Sequence, residues 1–441
     1  MKHPIHPSHS RRSFLGAMLA AGTAPMFTPS RVFGAGDAAP PSDKICVGIL
    51  GAGEQGRADM INFLGQPDVR VTAICDVNQR NIAIAREILA KRYGKDEVRV
   101  YTDFREFNAD PAIDALVMAL PVHWHSIPSI DAVLHGKPMY HEKPVAMSFE
   151  ESRRLRAVLR KKPVAFQFGT QQRSDLKFRW ACELARNGRL GKLREIHVSV
   201  PAGGARPAFP EQPVPGHVDW DRWVGPAPMT PFHEQKLNRA NHENITNFSL
   251  GMISCWGIHH LDIAQWGNDT DDTGPASVEG SGEFPPPGGG YDAIWRWKVR
   301  LEYERAAPVV FVSDGTPGFR HGVRFIGESG WVHVLRGKID ASDPALLRDP
   351  QNQCGTMPVK LPVSLDHRRD FLDAIRHGRP TICGIESSVR GDALCHLSLI
   401  SIHQGRKLKW DPEAETFPDD EGARAMLAPR PFRGDWKLPD V

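Results

Sequence analysis

The sequence has few cysteines, and their spacing matches no common cysteine site. It contains seven cysteines in 441 residues, an odd number, and no two of them are spaced as C-x-x-C. This pattern indicates neither a disulfide framework nor a zinc site. The chain also has no internal repeat, and beyond its first residues it has no apolar run that predicts a transmembrane helix.

The chain has little net charge. The formal charge is +3, and residues 1–36 carry Lys2, Arg11, Arg12 and Arg31 without any acidic residue. Without that segment the charge falls to −1 (3 minus 4). Such a balance is not a nucleic-acid signature, so we expect no nucleic-acid partner.

The basic residues belong to a predicted leader at 1–36. The pattern S-R-R-S-F-L at 10–15 precedes an apolar, alanine-rich run at 15–24. This predicts export by the twin-arginine route to the periplasm. A retained membrane anchor and a chance arginine pair are the alternatives. We expect membrane contact only during export or through a retained leader.

The most informative stretch lies between residues 44 and 76. A short apolar strand is followed by Gly51, Gly53 and Gly56 in G-x-G-x-x-G spacing, then by a helix and a second strand that ends at Asp76. In this motif the glycines allow a tight turn, close approach of a pyrophosphate and close helix packing. Asp76 would accept hydrogen bonds from ribose hydroxyls and repel a 2′-phosphate, which favours NAD over NADP. The alternative is an ordinary turn between packed elements.

Strand and helix patterns alternate up to residue 165, and strands dominate afterwards. This predicts an α/β fold: a doubly wound parallel Rossmann sheet at 43–165, followed by an α+β domain with a large, mostly antiparallel open sheet at 166–441. The predicted strands are 45–50, 69–75, 99–101, 115–120, 138–140, 195–200, 294–303, 309–313, 323–326 and 331–335. The segment VAFQFGTQQRS at 164–174 predicts a further strand that runs into a polar loop. The predicted helices are 80–93, 127–135, 175–187, 366–377 and 387–404. The irregular stretch at 201–247 is long enough to suggest function or contacts.

Several motifs carry a resemblance to a known family. They are GAGEQG, ICDVN, PVHWH, HEKP, GTQQRS, NGRLGK, VDWDRWVGP and CWGIHHLDIAQW. With these motifs the chain resembles the Gfo/Idh/MocA oxidoreductases, which include glucose–fructose oxidoreductase and inositol dehydrogenase. The resemblance implies an active site between the nicotinamide of NAD and the open sheet, acting on sugars or polyols.

The resemblance implies a catalytic lysine in the E-K-P motif, which is Lys143. It would bind a substrate hydroxyl and help to remove its proton, for which we expect an amine with a pKa depressed by partial burial and by the positive nicotinamide. The family also places an Asp four residues before a His on one helix, with a second Asp three residues after the His. The His corresponds to His259 and the later Asp to Asp262, but Cys255 stands in place of the first Asp. Cys255 would be either an inert packing residue or a weak polar contact to the substrate.

The resemblance implies further contacts to cofactor and substrate. Predicted cofactor-binding residues, besides the glycines and Asp76, are Glu54, Gln55, Pro121, His123, Trp124, His125, Glu142 and Lys143. Predicted substrate-binding residues are Gln171, Arg173, Cys255 and His259, with a surface-loop position as the alternative for Gln171 and Arg173. His123 and His125 also resemble an H-x-H metal pair, but they lack a partner at matching spacing, so we predict no metal site.

These features predict an exported NAD-dependent oxidoreductase that acts on a secondary hydroxyl of a sugar, cyclitol or glycoside. The alternative is a redox-neutral glycoside hydrolase or lyase similar to NAD-dependent α-N-acetylgalactosaminidase, which oxidises a ring hydroxyl, eliminates the aglycone, adds water and returns the hydride. A non-catalytic carbohydrate- or NAD-binding module is a third possibility. The periplasm has no obvious dinucleotide pool, so we expect tightly bound NAD. The open sheet predicts a homo-oligomer.

Overall fold

Apolar, β-branched segments of the N-terminal half form a parallel sheet. The structure, a computed structural model, describes residues 43–95, 97–348 and 356–440, so the predicted leader lies outside them. Within the described residues, six parallel strands are arranged in the order β3-β2-β1-β4-β5-β6. They are β1 (Ile45–Leu50), β2 (Val69–Cys75), β3 (Arg99–Tyr101), β4 (Ala115–Met118), β5 (Met139–His141) and β6 (Phe166–Phe168).

Helices cover both faces of this sheet, as expected for parallel strands that are apolar on both sides. Asn78, Asp103, Ser148 and Asp175 cap the starts of four of the helices by accepting a backbone N–H bond. The helices of the N-terminal half are α1 (Glu54–Leu64), α2 (Gln79–Tyr93), α3 (Phe104–Ala109), α4 (Ser126–Leu134), α5 (Phe149–Lys161) and α6 (Leu176–Arg186).

A second, mostly antiparallel sheet follows. Eight strands of the described part of the chain are arranged in the order β13-β12-β11-β7-β10-β9-β8-β14, with one parallel pair, β7 and β10. The strands are β7 (Leu193–Val200), β8 (Ser277–Glu283), β9 (Arg296–Glu302), β10 (Val309–Ser313), β11 (Gly322–Gly327), β12 (Trp331–Leu335), β13 (Lys338–Ala341) and β14 (Leu408–Lys409). Buried and exposed residues alternate along β9, so this sheet has one apolar face and one wetter face, as predicted.

Helices of the C-terminal half cover the apolar face. The helices are α7 (Trp220–Val224), α8 (Arg239–His242), α9 (Met252–Cys255), α10 (Gly257–Asn268), α11 (His367–His377), α12 (Ile385–Gln404) and α13 (Glu421–Ala425). Helices α10 and α12 pack against each other and against strands of the sheet. Helix α11 instead returns to the parallel sheet, where Phe371 packs edge-on against Phe63 and Tyr140.

The predicted fold class is confirmed, and the differences concern single elements. Strand β6 pairs with β5 in the parallel sheet, so that sheet continues past the predicted boundary at residue 165. Helix α5 and strands β8 and β13 were not predicted. Strand β8 has the sequence SVEGSGE, in which two glycines and two acidic residues hide the strand pattern. Among the described residues, no helix has both the length and the apolar character needed to cross a membrane.

Candidate active site

A cleft of about 390 Å³ lies at the carboxyl ends of the parallel strands, where open α/β sheets bind their ligands. The cleft extends from the glycine loop to Lys143, and it is lined by residues of the N-terminal half and of the C-terminal half. Nine residues of the predicted cofactor site line this cleft, namely Gly51, Gly53, Glu54, Gln55, Asp76, Pro121, Trp124, Glu142 and Lys143. The C-terminal half contributes Arg222, Trp223, Leu237, Asn238, Arg239, His242, Glu243 and Trp436.

The glycine loop has the shape that a dinucleotide phosphate requires. Gly51 has φ +88°, and a Cβ atom there would lie 2.6 Å from the carbonyl oxygen of Ala119. A Cβ atom on Gly56 would lie 1.8 Å from the carbonyl oxygen of Gly51, so helix α1 can approach the strand only with glycine. A Cβ atom on Gly53 would meet no protein atom within 4 Å. The loop is therefore open to the cleft at the N-terminus of α1, where N–H groups bind phosphate.

Asp76 lies at the end of β2, next to the glycine loop. One carboxylate oxygen accepts bonds from the backbone N–H of Ala52 (2.8 Å) and from the amide of Asn81 (3.2 Å). The other accepts a bond from the backbone N–H of Asn78 (2.8 Å). Burial raises the pKa of Asp76, although these bonds favour the charged form. The carboxylate is thus fixed at the position where a ribose of NAD would lie.

The PVHWH segment separates into a cleft wall and a buried layer. Pro121 and Trp124 line the cleft, as expected for cofactor contact. His123 lies beneath this wall, with its Nε2 3.0 Å from the carbonyl oxygen of Trp223. The His125 ring lies 2.6 Å from the carbonyl oxygen of Pro144 and 2.8 Å from that of Leu120.

The structure therefore differs from the prediction that these two histidines contact the cofactor. Burial lowers the pKa of His123 to about 3 and that of His125 to about 4. Both rings are neutral at pH 7, and a neutral His125 ring donates to only one of its two carbonyls. Their polar atoms hold the loop in place. Neither the spacing nor the residue type distinguishes a buried histidine from one that contacts a ligand.

Lys143 is nearly buried, and its Nζ lies 3.6 Å from a carboxylate oxygen of Glu243. Burial lowers the pKa of Lys143, but the negative charges of Glu243 and Glu142 together with the thiol of Cys255 outweigh it, so the pKa lies above its ordinary value. The predicted depression also depends on the positive nicotinamide, so it stays a prediction for the NAD-bound protein. The opposing charge of Glu243 was not predicted. Glu243 follows α8 within the irregular stretch at 201–247, and it belongs to none of the sequence motifs that predicted the site.

Glu142 belongs to a buried carboxyl pair behind Lys143. The side-chain amide of Gln55 donates to Asp59 (3.0 Å) and approaches Glu142 (3.5 Å). Burial raises the pKa of both carboxyl groups, and the charge of Asp59 raises that of Glu142 further. The pair therefore retains a proton at a pH where isolated carboxyl groups are ionised. Gln55 also accepts a bond from Arg239 (2.8 Å), which connects the glycine loop to α8.

His259 and Cys255 lie on the far side of Lys143, at the start of α10 and the end of α9. Burial lowers the pKa of His259 well below its ordinary value, and the charge of Lys143 lowers it further. The His259 and Lys143 side chains are thus close enough to interact electrostatically. Burial raises the pKa of Cys255 to about 12, and its Sγ lies 3.0 Å from Oγ of Ser249. The thiol is neutral, and the carboxylate near Lys143 comes from Glu243.

Arg173 is engaged by carboxylates of its own domain. Its guanidinium donates to Asp262 (2.7 and 2.9 Å) and to Asp271 (2.8 Å), and it is buried. These ion pairs fix the side chains of Arg173 and Asp262, and the substrate contact of Arg173 stays a prediction. Gln171 is half-buried on the same turn. Its neighbour Gln172 donates to the carbonyl oxygen of His259 (2.6 Å), with the amide orientation assigned from its partners.

Comparison with known families identifies both domains. Residues 45–170 match the NAD-binding Rossmann fold of the Gfo/Idh/MocA oxidoreductase family, and residues 203–438 match its C-terminal alpha/beta domain. The second match alone covers more than half of the chain. It includes the segment that supplies Arg239, Glu243 and His259 to the site.

Individual relatives are more distant. YrbE, an uncharacterized oxidoreductase of Bacillus subtilis, is 26% identical over 182 residues, which are 41% of this chain and 49% of that protein. Glycosyl hydrolase family 109 protein 2 of Shewanella sp. ANA-3 is 31% identical over 136 residues, 30% of this chain and 29% of that protein. The chain thus matches about half the length of the first relative and less than a third of the second.

A solved structure shows the same fold. Scyllo-inositol dehydrogenase from Lactobacillus casei, with bound NAD(H) and scyllo-inositol, superimposes with a TM-score of 0.57 at 16% identity, covering 83% of this chain and 99% of that one. The two matched domains, in the order and with the cleft described above, show that the chain belongs to the Gfo/Idh/MocA oxidoreductase family.

Proposed function

We propose that this protein oxidises a secondary hydroxyl of a sugar, cyclitol or glycoside with NAD. The observation that carries the proposal is that one cleft joins the open glycine loop and Asp76 to Lys143, with His259 within electrostatic range of Lys143. The cofactor site and Lys143 therefore belong to one continuous space. When bound, NAD supplies the acceptor for the hydride that leaves the substrate carbon.

The residues that would hold NAD fit its chemistry. Asp76 would accept hydrogen bonds from the ribose hydroxyls and would repel a 2′-phosphate, which favours NAD over NADP. The loop at Gly53 and the N-terminus of α1 would hold the pyrophosphate. Arg239 lines the cleft beside that loop and donates only to a neutral amide, that of Gln55, among the hydrogen bonds of the described residues. It can therefore add a positive charge at the phosphates.

Lys143 and His259 would handle the substrate proton. Lys143 would hydrogen-bond the reacting hydroxyl and accept its proton after losing its own, and Glu243 sets the pH at which this happens. His259 is neutral at pH 7, so its ring can accept or donate a hydrogen bond at the same oxygen. Cys255 contributes packing and a weak polar contact beside them.

A redox-neutral glycoside hydrolase is the second candidate. It is supported by relatives that are named glycosyl hydrolase family 109 proteins, although these match less than a third of the chain. In that reaction Lys143 would remove the hydroxyl proton in the first step and return it in the last. The same residues serve both candidates, so the distinction depends on the products.

The test begins with the protein purified from its native compartment. Mass spectrometry of the released nucleotide identifies the cofactor, and a panel of glycosides and polyols is then screened for products. Net NADH with a simple polyol supports the dehydrogenase. Glycoside cleavage without net NADH supports the hydrolase. If Lys143→Ala leaves every measured activity unchanged, the protein is instead a binding module.

Three further features of this proposal concern the protein in its cell. The twin-arginine pattern at 10–15 supports export to the periplasm, and an exported enzyme would need tightly bound NAD. Trp436 and Arg222 line the cleft from the C-terminal half, which supports retention of the cofactor. The open sheet supports a homo-oligomer. Fractionation of cells, the nucleotide content after dialysis, and light scattering test these three points in turn.

A further inference from the structure

Arg336 is held over the region of His259 by two separate contacts. It lies in the turn between β12 and β13, and its guanidinium carbon is 4.5 Å from the centre of the Trp256 ring. Its Nε donates to the side-chain oxygen of Gln172 (3.3 Å), and the nitrogen of that amide donates to the carbonyl oxygen of His259 (2.6 Å). A long exposed side chain without a function would not need such a fixed position.

Arg336 has no carboxylate partner in the structure. Across residues 43–95, 97–348 and 356–440, no carboxylate oxygen lies within 4.0 Å of its nitrogen atoms. Two other arginines in or beside the same sheet are paired, namely Arg320 with Asp340 (2.9 Å) and Arg300 with Glu195 (2.6 Å). Arg324 on β11 instead lies 4.0 Å from the centre of the Trp331 ring. The two terminal nitrogen atoms of Arg336 thus remain available for an anion.

Three cationic side chains act on His259. Glu142 is a buried carboxyl group whose charge acts on both Lys143 and Arg336. After burial itself, the charges of Lys143, Arg336 and Arg239 each lower the pKa of His259. Glu243 contributes a single carboxylate beside Lys143. Nδ1 of His259 is buried and has no hydrogen-bond partner in the part of the chain that the structure describes. The nicotinamide of NAD would add a further positive charge.

We propose that the substrate carries a carboxylate group, which Arg336 binds through its two terminal nitrogen atoms while the reacting hydroxyl lies between Lys143 and His259. The inference rests on the proposed function and narrows its substrate class to sugar acids, in the form of uronic acids or their glycosides. A neutral polyol would leave the guanidinium group of Arg336 without an anion to bind.

The geometry favours a carboxylate over a phosphate group. The Nε atom of Arg336 is already bonded to Gln172, which leaves two parallel donors that match the two oxygen atoms of one carboxylate. A phosphate dianion carries more negative charge than this single guanidinium group balances. Arg336 is therefore assigned as the specificity-determining residue.

The test compares matched substrates on the NAD-loaded full-length protein. The probes are the methyl glycosides of glucuronate and galacturonate, their neutral counterparts methyl glucoside and methyl galactoside, myo-inositol, and glucose 6-phosphate. The variants are Arg336→Gln, Arg336→Lys and the control Arg320→Gln, which changes an exposed arginine beside the same sheet. Binding is measured by calorimetry and turnover by product analysis.

The wild type should bind and convert a uronate better than its neutral counterpart. Arg336→Gln should raise KM or Kd for the uronate about 10- to 100-fold with little change for the neutral sugar, as expected for the loss of a charge-assisted pair. Arg336→Lys should recover part of this loss, and Arg320→Gln should match the wild type.

Equal use of neutral and acidic sugars, a preference for the sugar phosphate, or no binding of any carboxylate would overturn the inference. NAD affinity separates this failure from that of the proposed function. If NAD still binds and neutral polyols are converted, only the carboxylate assignment fails. If the protein binds no NAD, the proposed function fails as well.

Discussion

Replacing Glu243 by glutamine should lower the pKa of Lys143. In the structure the carboxylate of Glu243 lies 3.6 Å from Nζ of Lys143 and stabilises the charged ammonium group. The Glu243→Gln substitution would keep the size of the side chain and remove its negative charge. The positive charge of Arg239 and the burial of Lys143 both lower the pKa of Lys143, and in the variant the charge of Glu243 no longer raises it.

The distance sets the size of the effect. Two unit charges at 3.6 Å attract each other by about 1 kcal/mol in water and by about 5 kcal/mol at an effective dielectric constant of about 20. Because one pKa unit corresponds to about 1.4 kcal/mol, Glu243→Gln should lower the pKa of Lys143 by about 1 to 3 units. The neutral amine would then be populated at a lower pH.

Competitive labelling of lysine amines measures this change without a known substrate. The protein is treated with acetic anhydride across a pH series, and peptide mass spectrometry follows the labelled fraction of Lys143. Glu234→Gln is the matched control, because Glu234 pairs with Arg80 on the surface and should leave Lys143 unaffected. An unchanged or raised pKa of Lys143 in Glu243→Gln would refute the reasoning.

Three further predictions concern other parts of the molecule. Asp76→Ala should weaken NAD binding at least about tenfold and narrow the preference over NADP, as measured by calorimetry. Asp59 and Glu142 hold their protons more tightly in the folded than in the unfolded protein, because their pKa values are raised on folding. The free energy of unfolding therefore falls as the pH rises from about 4 through the raised pKa values. Asp59→Asn should therefore flatten the decline of the unfolding free energy with pH; a parallel curve in chemical denaturation would contradict this. Arg173→Gln should lower the unfolding free energy by about 3 to 5 kcal/mol and leave NAD affinity unchanged, because Arg173 pairs with Asp262 away from the cleft.

Local sequence patterns predicted the parts of the fold that depend on local chemistry. Alternation and apolar runs predicted β1 and β2 with their observed bounds, because strand burial repeats every two residues. The glycine spacing predicted the phosphate loop because only glycine fits at Gly51 and Gly56. Strand β8 was missed because its packing comes from the neighbouring β9 and not from its own sequence.

The site was predictable only where a motif carries the residue. Lys143 and His259 were found in this way, whereas Glu243 and Arg239 reach the cleft through the irregular stretch at 201–247, whose path depends on tertiary packing. The same limit explains His123, because its burial beneath the cleft wall is not encoded in the PVHWH spacing.

The measurement that tests the central claim most directly compares wild type with Lys143→Met on whichever panel compound the wild type converts. The variant should still bind NAD, while its product formation should fall about 100- to 10,000-fold. Undiminished turnover, or loss of NAD binding together with activity, would contradict the claim that Lys143 carries the proton transfer in this cleft.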